Sequence, residues 1–238
     1  MSQTNIRKRA QRLLAEFVVI VFGVLIALAV DEARQTRNDR ATEQVVLEGL
    51  LDELRENRTR VEVAETWHDR RRRAQEELLR FSGAPMPVSS DSVDALWSLA
   101  LTGGVYGEAE GALSSVLVSG QLSLIEDDAL RILIGQWPRG RRVFDEWEAE
   151  YKKILADDLM PIMKGRYSLP SAITTFPMPG TPDYQALERA LSDPVIVNNL
   201  RHLAGLWPVF EILVSRRQQF LDQLEEQILE NLAGGDDQ

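Results

Sequence analysis

Cysteine is absent from the 238 residues, which excludes disulfides, thiolate metal ligands and cysteine nucleophiles. Histidine is nearly absent. His68 and His202 lie far apart, and neither is followed three or four residues on by a ligand residue, the spacing that lets one helix present two ligands to a zinc ion. The chain also lacks the D-x-[DN]-x-[DN]-G spacing of a calcium loop and a G-x-S-x-G nucleophile elbow. Its one glycine-rich stretch, GGVYGEAEG at 103–111, has no Gly-Lys-Ser/Thr ending and no preceding strand, so it reads as a loop with helix caps. Carboxylates abound, as in Asp127-Asp128 and Asp157-Asp158, but adjacent acids on a helix diverge, whereas acid–base chemistry needs two groups converging on one pocket. No metal, cofactor or catalytic residue is expected, and the chain does not read as an enzyme. No stretch alternates apolar and polar residues long enough to argue a sheet, so the expected fold class is all-α.

Positive charge is outnumbered by negative outside the N-terminus. Arg7, Lys8, Arg9 and Arg12 against Glu16 give the first thirty residues +3, which leaves −13 for the rest of a chain whose total is −10. A body of that sign is repelled by phosphate backbones and anionic lipid surfaces, so nucleic acid is not an expected partner.

What the chain does have is one long apolar run. Leu13 to Val30 contains a single charged residue, Glu16, and as a helix of about 1.5 Å per residue it rises about 27 Å, against a hydrocarbon core of about 30 Å. Basic residues precede it, and Ala27-Leu28-Ala29 matches the small-x-small pattern of an export-signal cleavage site. The residues that follow keep helical composition, with no proline or glycine between Gly23 and Gly49, and a peptidase needs an extended strand at its cut. A retained transmembrane helix over 13–30 is therefore preferred to a cleaved signal, with the lipid bilayer as partner. The short basic tail of 1–12 and the long domain that follows favour an N-terminus inside and the bulk of the protein outside. Gly23 and Ala27 form a small-xxx-small pair of the kind at which transmembrane helices approach closely, but such pairs arise often by chance in alanine-rich apolar segments, so a plain lipid-facing surface is the preferred reading.

Past the span, residues 31–82 are expected to continue as a stalk helix. Leu47, Leu50, Leu54, Val61 and Ala64 recur at alternating three- and four-residue steps, with Asn57 as the polar member, and the stripe stops at His68. Packing on the protein's own later helices is preferred to a parallel dimeric coiled coil. Arg70 to Arg73 reads as a solvated face laced with ion pairs, a docking site for an acidic partner being the alternative. Residues 81–92 break the helix with Gly83, Pro85 and Pro87 and offer Ser90 or Asp91 as the next cap.

An outer helical domain is expected over 83–232, bundle-like and packed on the stalk, with a flexible tail at 233–238. It is read as a short helix at Val93–Leu101, two helices over 112–137 joined at Ser119-Gly120, an interruption at Pro138 and Gly140, and a charged helix from Val143 to Lys164 with a break at Pro161. A proline-rich loop follows at 168–183. Thr181 and Asp193 then stand as caps before Pro182 and Pro194, and a last helix runs from Pro194 to Leu232, bent at Pro208. His202 reads as half-buried.

Three stretches together carry a resemblance. AEFVVIVFGVLIALAVDEARQTRNDR, LEGLLDELRENRTRVE and SGQLSLIEDDALRILIGQW, with ALSDPVIVNNLRHL after them, resemble in the same order the segments of uncharacterised bacterial single-span membrane proteins of the DUF6090 type. The resemblance departs where that family often has N-x-W after the span, since Asp31, Glu32 and Ala33 stand here. It implies a retained anchor in a bacterial inner (cytoplasmic) membrane, with a cytoplasmic N-terminus and a periplasmic helical domain, and it implies no activity. Within its core motif, Gly120 is expected to end a helix at positive φ, Leu122 and Ile125 to enter the core, Asp127 or Asp128 to cap the next helix, and Arg131 to pair with one of those acids or with the stalk.

The expected function is therefore non-enzymatic. The outer domain is read as binding other membrane proteins, as accessory subunit of a membrane complex, or itself, as a scaffold. The alternative is a membrane-anchored sensory or small-molecule-binding domain, with Trp97, Trp137, Trp147 and Trp207 lining a pocket between helices.

Overall fold

A computed structural model describes the backbone of residues 3–83, 89–102, 106–167 and 183–235, and the side chains of these residues except 3–16, 90, 91 and 235. Helices account for all the regular structure among the described residues, so the protein is all-α. The proline-rich loop, the Thr181 cap, Pro85 and Pro87 lie outside them.

Helix α1, Gln3–Arg80, is continuous. At about 1.5 Å per residue it is about 117 Å long. It ends where Phe81 and Ser82 donate to Leu78 and Leu79 carbonyls and Gly83 turns to φ 79°. From there the chain descends along α1. Helix α2, Ser90–Leu101, lies beside its far end, and α3, Gly111–Ser119, beside its middle. The side chain that caps α2 is Ser89, one position ahead of the expected Ser90 or Asp91, because its hydroxyl is the one that reaches a first-turn amide, that of Ser92.

The chain then climbs through α4, Asp128–Lys153, parallel to α1, and returns through α8, Trp207–Gly235, antiparallel to both. The pairings fix these directions: Glu43 meets Glu126, His68 meets Trp147 and Gln75 meets Tyr151, while Arg58 meets Glu225 and Arg72 meets Glu211. Short helices α5 (Met160–Arg166), α6 (Tyr184–Ala190) and α7 (Pro194–Gly205) close the far end.

The prolines act differently from expectation. Pro138 sits inside α4, which continues through it and through Gly140 on the ladder of its neighbours and a buried face of Ile134, Trp137, Phe144 and Trp147. Packing of that face outweighs the single hydrogen bond that proline removes. At Pro161 the expected break is a π-turn, Ile154–Leu159, in which Met160 N–H donates to Leu155 O; the wider ladder absorbs the missing donor just before α5 begins. The expected single bent helix from Pro194 is two helices separated at Leu206, and α8 starts at Trp207 with Pro208 in its first turn, where no N–H is needed. At the ends, α8 reaches Gly235, past the expected boundary at Leu232, and α1 already includes residues 3–12 of the expected separate tail.

The core lies between α1, α2, α4, α7 and α8. Leu47, Leu50, Leu54, Asn57 and Val61 are all buried in it, so the α1 stripe packs on the protein's own helices, as the sequence suggested. The stripe does not stop at His68. His68, Arg71, Gln75 and Leu78 continue the same three-four spacing and are buried too. Arg71 therefore departs from its neighbours: Arg72 and Arg73 pair with Asp69 at the surface and Arg70 lies over the Trp67 ring, while Arg71 points inward.

Candidate functional site

The most exposed apolar surface is on α1. Phe17, Val19, Ile20, Phe22, Leu25, Ile26, Leu28 and Val30 are all more than half exposed and surround the helix. Among the described residues no helix is long and apolar enough to cross a membrane. The described side chains begin at Phe17, so the apolar stretch they show is cut to Phe17–Val30 before Asp31, Glu32 and Arg34, and the side chains of residues 13–16 of the expected span lie outside them. Gly23 and Ala27 stand on this surface, and a Cβ added at Gly23 would meet nothing within 4 Å.

Residues 31–45 form an exposed stretch of α1 between the apolar segment and the first core residue, Val46, broken only by the partly covered Glu43. From Val46 onward α1 becomes the spine of the domain. Two of its polar side chains hold the glycine-rich loop. The Asn57 amide donates to Ala109 O (2.9 Å) and accepts from Ala109 N–H (2.7 Å), and one turn earlier the Glu53 carboxylate accepts from Ala112 N–H (2.6 Å) and Leu113 N–H (3.1 Å). Glu53 thus caps α3 from a different helix, where Glu110, the residue at the cap position, makes no side-chain cap bond.

That loop delivers Glu108 into the interior. Its carboxylate takes Arg217 of α8 in a two-point ion pair, Nε at 2.7 Å and Nη2 at 2.5 Å, with side-chain exposures of 1% for Glu108 and 2% for Arg217. The Tyr106 hydroxyl (2.5 Å) and Trp137 Nε1 (3.3 Å) donate to the same carboxylate, and Arg217 Nη1 donates to Trp137 O (3.3 Å). Burial, and then the Glu108 charge, push the Tyr106 phenol up, so it stays a donor. Next to them Gly140 gives clearance: a Cβ there would lie 2.5 Å from Arg217 Nη1.

A second buried polar group sits nearer the far end. Gln75 donates to Ala100 O and to the Tyr151 hydroxyl, each at 3.0 Å, and accepts from Trp207 Nε1 at 2.8 Å. Arg71 Nη1 lies 3.1 Å from His68 Nδ1, and its guanidinium is over the Tyr151 ring. With Arg71 as donor, His68 Nδ1 is the acceptor and the imidazole is neutral. Burial and then the Arg71 charge push His68 down to about 3. Burial also holds Arg71 below its ordinary value, and its Nε has no partner among the described residues.

The four tryptophans do not come together around one pocket; Trp207 alone of them borders a cleft of about 180 Å³, with His68 and Phe210. Trp97 and Trp137 are fully buried, and Trp147 and Trp207 pack on each other, on His68 and on Phe210 at ring separations of 4.8–6.1 Å. His202 is exposed rather than half-buried, because it lies on the face of α7 opposite Leu200 and Leu203. No group of acids and histidines able to hold a metal occurs among the described residues.

The core motif folds as its residues suggested. Gly120 ends α3 at φ 77°, Ile125 is buried, and Leu122 is half-buried against the core. Asp127 is the acid that caps α4, accepting from Ala129 N–H (2.7 Å) and Leu130 N–H (3.0 Å), and these bonds hold its carboxyl below the usual range. Arg131 pairs with the other acid, Asp128, and also donates to Ile125 O at 2.5 Å. These are folding roles. Sequence reasoning missed Glu108 with Arg217, and Arg71 with Gln75. Continuing the three-four register of α1 past His68 would have found the second group; nothing local marks the first.

Comparisons of the chain with models of protein families, with curated proteins and with solved structures find no match in any of the three.

Proposed function

We propose that this is a non-enzymatic, single-span membrane protein whose helical domain binds other proteins, as accessory subunit of a membrane complex or as a self-associating scaffold. The observation that carries the reading is the Phe17–Val30 segment, a helix apolar around its whole circumference and exposed on every side among the described residues. In water such a surface is a large penalty at about 25 cal/mol per Å². A helix apolar all round belongs in a bilayer or a protein core, and the described residues place no core around it. With residues 13–16 it has the length of a span, the basic residues before it stay on the cytoplasmic side, and the acidic domain stands on the opposite face of the bacterial inner membrane. The DUF6090-type resemblance leads to the same arrangement.

Binding of proteins is favoured over binding of a small molecule because the aromatic residues that would build a pocket are consumed by the core. The test is gentle detergent extraction of a C-terminally tagged chain, followed by intact-mass measurement and sizing of the native particle. An intact chain in a particle of defined stoichiometry, with itself or with membrane partners, supports the reading. A soluble chain cut near Val30 and running alone overturns it.

A further inference from the structure

On the far side of α8 from α1, helices α4 and α8 leave between them an open groove of about 230 Å³. Its floor is apolar, formed by Val143 and Phe144 of α4 and Leu213 and Phe220 of α8, and Arg139 and Arg216 stand exposed on its rim. Neither arginine has a partner among the described residues, whereas Arg141, Arg142 and Arg131 on α4 are each paired with an acid. The buried Arg217 beneath is already neutralised by Glu108. A chain whose charge beyond residue 30 is −13 thus keeps a positive, apolar-floored island on one face.

The apolar surface continues past the groove on the same faces. Ile132, two turns before Arg139, is 60% exposed, and Val209, one turn before Leu213, is 49% exposed. Because the helices run antiparallel, these two residues mark opposite ends of a strip about 20 Å long at about 1.5 Å per residue. That length is about four turns of helix, and the groove itself is smaller than the ~300 Å³ at which small-molecule sites begin.

We propose that this strip is the docking surface for an acidic amphipathic helix of a partner protein, whose apolar side chains enter the groove and whose carboxylates meet Arg139 and Arg216. The inference rests on the protein-binding reading above and names its surface and the partner's chemistry. A lipid of the protein's own bilayer is ruled out by distance. The groove lies level with Glu65, which meets Gln218 of α8, and from Val30 to Glu65 α1 rises about 52 Å at ~1.5 Å per residue.

The test places a benzophenone side chain at Val143 in the groove, or at the 85%-exposed Val118 of α3 as a control, in the full chain in its native membrane. Each is made with wild-type arginines and with R139E/R216E, and R139Q/R216Q is carried alongside should the reversed pair fail to fold. The expected result is a discrete adduct from position 143 only, lost with either arginine pair, whose crosslinked peptide is acidic with apolar residues at three-four spacing. An adduct to this chain itself, to lipid, or to a basic or non-helical segment overturns the inference. Adducts from position 118 alone overturn it while sparing the protein-binding reading, and no adduct from either position overturns both.

Discussion

Glu108 and Arg217, separated by 109 residues in the chain, form a two-point ion pair sealed from solvent at the junction of the glycine-rich loop, α4 and α8. Removing one partner leaves the other charge buried and unpaired, so Glu108→Leu and Arg217→Met are each expected to destabilise the domain by about 3–5 kcal/mol. The double variant should recover part of that loss, since no charge is left buried and unpaired, while the Tyr106 hydroxyl and Trp137 Nε1 still lose their acceptor. Urea unfolding of the detergent-solubilised protein, followed by tryptophan fluorescence, gives the double-mutant cycle. Additive losses would show that the pair is not coupled.

Gly140 is tied to the same pair. Gly140→Ala improves helix propensity, yet its Cβ meets an Arg217 Nη1 that Glu108 and Trp137 O hold in place. The expected loss is about 1–3 kcal/mol, as for other overpacked sites. In the Arg217→Met background the same change should be neutral or stabilising, because the obstacle is a guanidinium and not backbone. An equal loss in both backgrounds would place the clash elsewhere.

His68 should make the domain acid-sensitive at a mild pH. Its imidazole titrates near 6.5 when unfolded and about 3 when folded, so between those values the unfolded chain binds more protons. The stability is therefore complete above about pH 6.5 and is lost as pH falls towards 3, with a slope of up to about 1.4 kcal/mol per pH unit. His68→Gln, which keeps an acceptor for Arg71, should flatten the decline between pH 6.5 and 5 in thermal melts. The same slope in both proteins would assign it to other groups.

Gly120 takes φ 77° at the end of α3. Gly120→Ala forces a side chain into the left-handed region at a cost of about 1–2 kcal/mol. Nothing occupies the space where the Cβ would go, so the loss is conformational, and Gly120→Asn should recover part of it. Equal losses for Ala and Asn would point to packing instead.

How much of this was legible in the sequence depends on range. Short-range chemistry was: Gly120, Asp127 before α4, Asp193 before Pro194, and the α1 stripe through Val61 all rest on residues within a few positions of one another. Breakers were over-read. Pro138 and Gly140 stand in a helix whose tertiary face holds it together, and Gly140 serves a side chain from α8. By polarity alone the stripe ends at His68, since a polar side chain on a helix usually faces solvent. In fact His68, Arg71 and Gln75 keep the register while their partners come from α2, α4 and α8. The Glu108 pair had no local mark at all, since one glutamate in a glycine-rich loop and one arginine in a charged helix look like solvent-facing residues.

The buried polar face of α1 also determines how the two ends of this long helix move together. A purely apolar seam tolerates sliding by a heptad, but here such a slip would separate Asn57 from Ala109, Glu53 from the α3 amides and Gln75 from Trp207 at once. The domain is keyed to α1 like a hub on a shaft. The same α1 that carries these fixed pairings runs unbroken from the Phe17–Val30 segment to Arg80, so the domain's register on the helix also sets its rotation about the axis of the apolar segment.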